Sequence, residues 1–202
     1  MNKFVILIYL LFLLFNSKNI LADEPADWLK TEIDKILASY QNENLSNENR
    51  FLIIEQTINN NFAGTGIAKF VVGDAWANAK KDIKKDYIKN FKRHLALNIA
   101  SMMQGYSNQK YKLSNSRIDN KNKIILVEME IFNATGSVVV TWRLKESKGR
   151  YFVIDLIVAD ISLVVTKRSE FNSMLKSVSY DLSEFNKILL NQNNESYQKI
   201  IN

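Results

Sequence analysis

One histidine, His94, and no cysteine make up the chain's supply of the side chains most used in acid–base and thiol chemistry. Without thiols the sequence can form no disulfide, no thiolate nucleophile and no cysteine-based metal site. His94 lies in KNFKRHLAL, on the polar side of an expected helix. A general base there would need orienting partners that the flanking residues do not supply, so it reads as an exposed surface residue. Gly64-Thr65-Gly66 lacks the further glycine, or the Gly-Lys-Ser/Thr, of loops that cradle phosphate, which argues against nucleotide binding. Asp155 interrupts the apolar run YFVIDLIV. It can hydrogen-bond backbone or an arginine at a seam of the fold. It can also line a cavity as a general base, as in ketosteroid isomerases, but no Tyr and Asp pair that would hold an oxyanion is identifiable. No catalytic residues and no metal ligands are therefore assigned.

The strongest charge feature is KKDIKKDYIKNFKR, with lysines at 80, 81, 84, 85, 89 and 92. On a helix they spread over the side opposite Ile83, Tyr87 and Phe91, either as a solvated face or as a docking face for acidic partners or anionic headgroups. The N-terminus places export ahead of nucleic acid. Lys3 precedes an unbroken apolar run of 12 residues, Phe4 to Phe15, and Ile20-Leu21-Ala22 closes the segment before Asp23. This is the order of a secretory signal, with cleavage expected after Ala22. As a helix the run rises only ~18 Å, short of the ~30 Å hydrocarbon core. Loss of Lys3 and Lys18 with the leader lowers the formal charge from +6 to +4, too mild to imply nucleic acid. Residues 23–202 are long enough for one domain with a sizeable core.

The elements that must position these residues read as helices, then a sheet, then helices. Trp28, Leu29, Ile33, Ile36, Leu37 and Tyr40 recur at helical spacing over Ala26 to Tyr40. Ser46 or Asn47 can cap a second helix carrying Phe51, Leu52, Ile54 and Ile58. A short apolar helix, Phe62 to Val72, ends at Gly73. The longest helix is expected over about 78–104, with Ile83, Tyr87, Phe91, Leu95, Ile99, Met102 and Met103 as its stripe and Gly105 as its stop.

The period then changes to two. Strands are expected at Lys110 to Ile118, Lys123 to Asn133, Val138 to Lys145 and Tyr151 to Val158, with turns at Ala134-Thr135-Gly136 and Ser147-Lys148-Gly149. Ile125, Val127, Met129 and Ile131 face one way, as do Val138, Val140, Trp142 and Leu144. The fourth strand is apolar on nearly both sides, which reads as covered on both faces. Helices Ile161 to Lys176 and Leu182 to Leu190 follow, with a frayed tail to Asn202. The pattern is α+β. It predicts helical parts at 23–108 and 161–202 packed on a curved four-stranded antiparallel sheet at 109–158, a cone-like roll enclosing an apolar pocket.

Several of these segments together resemble the MlaC family, also called the toluene-tolerance family. Val71-Val72-Gly73-Asp74-Ala75-Trp76 is similar to its apolar helix running into Gly and an aromatic. Tyr87 and Phe91, then Tyr106, match its spaced aromatics and helix-ending Tyr. Phe152 and Asp155 match its last strand, and Asp160-Ile161-Ser162-Leu163 through Thr166-Lys167-Arg168 to Phe171 matches its Gly-hydrophobic-Ser passage into a basic helix. The likeness spans Ala26 to Leu190. Asp160 departs from the family Gly, and Ile83-Lys84 from a common Gln-Arg. The resemblance implies a non-catalytic periplasmic carrier of phospholipid between the two membranes, serving outer-membrane lipid asymmetry. No cofactor is implied, only bound phospholipid as cargo. Its partners would be an inner-membrane ABC transporter complex and an outer-membrane lipoprotein–porin complex. It further implies a lipid pocket lined by Phe70, Tyr87, Phe91, Leu95, Met102, Val127, Met129, Val140, Trp142 and Ile154, with a mouth at Ile161 and Leu163. The alternatives are a hopanoid- or sterol-type binder on the same scaffold and an enzyme working on a hydrophobic small molecule through Asp155.

Overall fold

The computed structural model describes residues 23–106, 109–134 and 136–202; the leader read at 1–22 and Thr135 of the first hairpin lie outside them. Helix α1 (Glu24–Gln41) starts at Asp23, whose side chain accepts from the Ala26 N–H, with Pro25 in the first turn where its missing N–H costs nothing. Ser46, rather than Asn47, caps α2 (Asn47–Asn61) through the Asn49 N–H. Helix α3 (Gly64–Val72) ends at Gly73, whose φ of 53° suits glycine, and a Cβ there would also press on Arg168 Nη2 at 3.1 Å. One turn of helix, α4 (Ala75–Asn78), leads into α5 (Lys81–Met103).

Among the described residues the sheet has six strands rather than four. The weak first strand is broken into β1 (Lys110–Leu113) and β2 (Arg117–Asp119), both antiparallel to β3 (Ile124–Asn133). Then come β4 (Gly136–Ser147), β5 (Arg150–Val158) and a two-residue β6 (Ile161–Ser162), giving the order β1-β3-β4-β5-β6. Ser147 pairs with Arg150 across Lys148 and Gly149, both at positive φ, and Val158 pairs with Ile161 across Ala159 and Asp160, likewise both positive. Both are two-residue hairpin turns of the kind whose twist matches the strands.

Helix α6 (Leu163–Ser177) begins directly after β6, and α7 (Leu182–Ile201) runs to the end of the chain. The expected frayed tail is thus helical. Asn193 is fully buried and donates to the Asn90 carbonyl, Tyr197 packs edge-on against Phe51, and Ile200 is buried. These partners are more than 100 residues away in the chain, so no local signal announces them.

Three cores result. One lies among α3, α5, α6 and α7, around Tyr87, Phe91, Phe171 and Phe185. A second lies between the sheet and α1. A third joins α2, α5 and α7 around Phe51, Ile58 and Leu97. Phe62, where α2 hands over to α3, packs against all three, and the Ala63 N–H ties that corner to the Val153 carbonyl of β5.

Candidate functional site

The register of β5 decides which residues meet. Arg143 pairs with Asp155 but Leu144 pairs with Val153, so Ile154 is an extra residue, a β-bulge. Because successive side chains alternate faces, the bulge reverses the alternation. Val153 before it, and Leu156 and Val158 after it, all join the core under α1, which we call the inner face. Asp155 falls on the outer face. This explains a strand that is apolar on both sides without a strict alternation.

On the inner face one row runs Met129, Val140, Val158, Ile161 across β3 to β6, and the next runs Val127, Trp142, Leu156. Helix α1 closes the part of this face nearest β1 to β3 with Ala26, Leu29 and Ile33. Towards β6 and the β3–β4 hairpin the cover runs out: Trp142, Leu156 and Val158 are half-buried, Val138 is 44% exposed and Ile161 58% exposed. The indole N–H of Trp142 is buried and has no hydrogen-bond partner among the described residues.

The outer face carries the Asp155 cluster. Its carboxylate accepts from Ser162 Oγ at 2.6 Å, Leu156 N at 2.8 Å, Val164 N at 3.1 Å and Arg143 Nη1 at 3.2 Å. Ser162 Oγ in turn accepts from the Val165 N–H and caps α6. Two of the first N–H groups of α6 are thereby satisfied, and the helix is pinned to the sheet at its start. Asp155 is the structural tie of the two readings open in the sequence. Its acceptor capacity is filled, and it lines neither of the two concavities described below.

The residues expected to line one pocket separate into different places. Val127, Met129, Val140 and Trp142 do share the inner face. Tyr87 and Phe91 instead sit fully buried in the helical core; the Tyr87 hydroxyl donates to the Ala68 carbonyl at 3.0 Å, and burial pushes its ionisation up. Leu95 packs between that core and the third. Met102 is 66% exposed. The cause is geometric: a series at i+4 steps drifts by about 40° per step at 3.6 residues per turn. Burial on α5 accordingly passes from Tyr87 and Phe91 to Ala96, Leu97 and Ala100. Phe70 is exposed beneath the Arg168 guanidinium, 4.7 Å from its ring centroid. Leu163 opens α6 at the surface, one residue beyond Ser162.

Ile154, expected inward, lies on the outer side with Phe152, in a concavity of about 430 Å³ shared with Phe62, Gly64, Lys92 and Lys145. A second concavity, of about 300 Å³, is polar and lies between α1 and α2, reaching Arg150. Leu156 and Val158, not anticipated as lining residues, join the inner rows because of the bulge. The only advance sign of them was the fourth strand's apolar character on both sides.

His94 is also not where its sequence context puts it. It is packed on Phe171, with ring centroids 5.6 Å apart, and its Nδ1 lies 3.2 Å from Asn193 Oδ1. The Asn193 amide nitrogen already donates to Asn90, so Oδ1 is the acceptor and His94 carries its proton on Nδ1. Burial, then the nearby Lys167, lower its pKa to about 4. Of the lysine run, Lys80, Lys81, Lys85 and Lys89 are exposed, while Lys84 and Lys92 are half-covered by Trp76 and the α3 start. Among the described residues no cluster of His, Cys, Asp or Glu could hold a metal ion, and no helix is long and apolar enough to cross a membrane.

Against known proteins, residues 30–189 match the family described as MlaC protein. The chain belongs to the MlaC family. Among solved structures it is similar to a phospholipid-binding protein from Ralstonia solanacearum, solved in complex with a phospholipid, with a TM-score of 0.71 and 16% sequence identity over 85% of this chain and 98% of that one. At that identity the likeness is one of fold. No characterised protein sequence matches significantly. Of the residues that carry the family likeness, Tyr87, Phe91 and Phe171 build the helical core, Gly73 ends α3, and Asp155 with Ser162 fixes α6 to the sheet.

Proposed function

We propose that this member of the MlaC family is a phospholipid-binding carrier that is exported to the periplasm and moves lipid between the inner and outer membranes. The observation that carries the reading is the inner face of the sheet, whose apolar rows run out from under α1 at Trp142, Leu156, Val158, Val138 and Ile161. Acyl chains are held by area burial at about 0.8 kcal/mol per CH₂, so two chains of ~15 carbons forfeit over 20 kcal/mol in water. A carrier must enclose those chains and leave the headgroup wet, because a desolvated charge is costly. An apolar face closed at one end by a helix and open at the other meets both demands. It favours lipids by their tails and is indifferent to the headgroup.

In this reading Val127, Met129, Val140 and Trp142 line the tails, Ile161 and Leu163 form the mouth, and Tyr87 and Phe91 hold the helical wall in shape. Residues 1–22 are a signal removed after Ala22, leaving 23–202 as one monomeric lipid-binding domain. Docking to an inner-membrane ABC transporter complex, or to a lipoprotein–porin complex of the outer membrane, opens the inner face for transfer. The carrier is non-catalytic, and the filled hydrogen bonds of Asp155 support that.

The test is native mass spectrometry of the protein recovered from a bacterial periplasm after expression of the full chain, without detergent, with extraction of what co-purifies. Stoichiometric diacyl phospholipid of mixed headgroup is expected. A clean unliganded mass, or a rigid polycyclic lipid in its place, overturns the assignment.

A further inference from the structure

Among the described residues, the buried indole N–H of Trp142 is left without a hydrogen-bond partner on the inner face. Its cross-strand neighbours are Val127 and Leu156, and the rows on either side place Val140 and Leu144 along the same strand. All have apolar side chains, and the indole N–H makes no hydrogen bond among the described residues. A buried donor without a partner is costly, and native structures leave few of them unless something else completes the site. Trp142 stands one strand in from β5, beside the half-covered Leu156, at the boundary between the part of the inner face that α1 closes and the part it leaves open.

A two-chain glycerolipid has a group that fits this boundary. Its tails want the closed apolar part, its phosphate wants water, and between them lie ester carbonyls. These are neutral oxygen acceptors that lose their own hydrogen bonds to water when the tails are drawn in. We infer that Trp142 Nε1–H donates to an ester carbonyl of the bound lipid, so that donor and acceptor, each unsatisfied alone, complete one another in the loaded carrier. The inference rests on the carrier reading above and adds a selectivity that tail burial alone cannot give: preference for ester-linked over ether-linked chains, since an ether lacks the carbonyl.

The experiment compares binding of two phosphatidylcholines with identical chain lengths, one diacyl and one dialkyl, to the delipidated wild-type protein and to Trp142→Phe. Wild type should prefer the diacyl lipid by roughly tenfold, the scale of one neutral hydrogen bond with its desolvation. Trp142→Phe should bind both equally, whatever it loses in packing. Should the variant not fold, the wild-type ratio still decides, together with the ¹⁵N–¹H signals of the indole groups: one should move downfield with the diacyl lipid and stay with the dialkyl. Equal binding of the two lipids by wild type, or a ratio unchanged in Trp142→Phe, overturns the role of Trp142 while leaving the carrier intact. Failure of wild type to bind either lipid overturns both.

Discussion

Asp155 and His94 are the two residues whose chemistry could have been mistaken for catalysis, and in both the surroundings settle the question. Asp155 accepts from two backbone N–H groups, a hydroxyl and a guanidinium while 5% exposed. Replacing it with Asn removes the charge facing Arg143 and puts an amide donor among donors. Asp155→Asn should lower unfolding stability by about 2–3 kcal/mol in denaturant titration and leave lipid loading intact below the unfolding transition. His94 makes a prediction with a sign. Its pKa is about 4 when folded, against an ordinary histidine value of 6.5, so between those values the unfolded chain takes up a proton that the native one refuses. Stability from this residue is therefore fully present above about pH 6.5 and lost as pH falls towards 4, about 2 kcal/mol of it between about pH 7.5 and pH 5. The Lys167 ammonium and Glu170 carboxylate on α6 and Asn193 on α7 face the same ring. His94→Gln should flatten that part of the profile when both proteins are unfolded by denaturant at the two pH values. The sequence placed Asp155 correctly as an anomaly in an apolar strand, because one charge among seven apolar neighbours is visible locally. It misplaced His94, because the Asn193 that covers it arrives from a helix 99 residues away.

Elements were legible where their own period was strong and illegible where distant packing made them. The six helices expected from apolar spacing and the β3–β4 and β4–β5 hairpins are present. The division of the first strand and the length of α7 were not readable, since both depend on partners elsewhere in the chain. Ile200 shows how firmly that last helix is held: Ile200→Ala should cost about 2–4 kcal/mol by thermal or chemical unfolding, where a frayed tail would show no change. The β5–β6 turn makes the opposite prediction. Ala159 and Asp160 have φ of 48° and 62°, a conformation that disfavours side chains with a Cβ. Asp160→Gly, which removes that conflict, should raise stability by about 1 kcal/mol, read as an increase in denaturation midpoint.

At the scale of the whole molecule the α+β reading holds, with six strands and three cores instead of four strands around one pocket. The candidate site was half legible. Val127, Met129, Val140 and Trp142 follow from alternation along regular strands, whereas Leu156 and Val158 depend on a bulge that no period announces, and the stripe of α5 was followed beyond the point where helical drift carries it away from the core. Ile161 tests the placement of the mouth. Being mostly exposed, it contributes little to folding, so Ile161→Glu should keep the wild-type unfolding midpoint yet purify without lipid in native mass spectra. Full lipid occupancy in that variant would move the mouth elsewhere.

The extra residue in β5 also dictates how this chain can tolerate insertions and deletions. Removing Ile154 would restore unbroken pairing with β4 and cost the sheet little locally. Val153, Leu156 and Val158 would keep the inner face and Asp155 the outer one, because the pairs Leu144–Val153, Arg143–Asp155 and Trp142–Leu156 become consecutive once the extra residue is gone. Only the side chain beside Phe152 in the outer concavity is lost. A one-residue deletion beyond the bulge, at Ile157, is the one equivalent to several substitutions, since it would turn Val158 outward and shift the pairing with β6, whereas changes at the tips of the β4–β5 or β5–β6 hairpins are confined to a turn. Grafts, tags and chimaeras of this scaffold should be joined at those tips, with the nine residues of β5 transplanted as an indivisible unit.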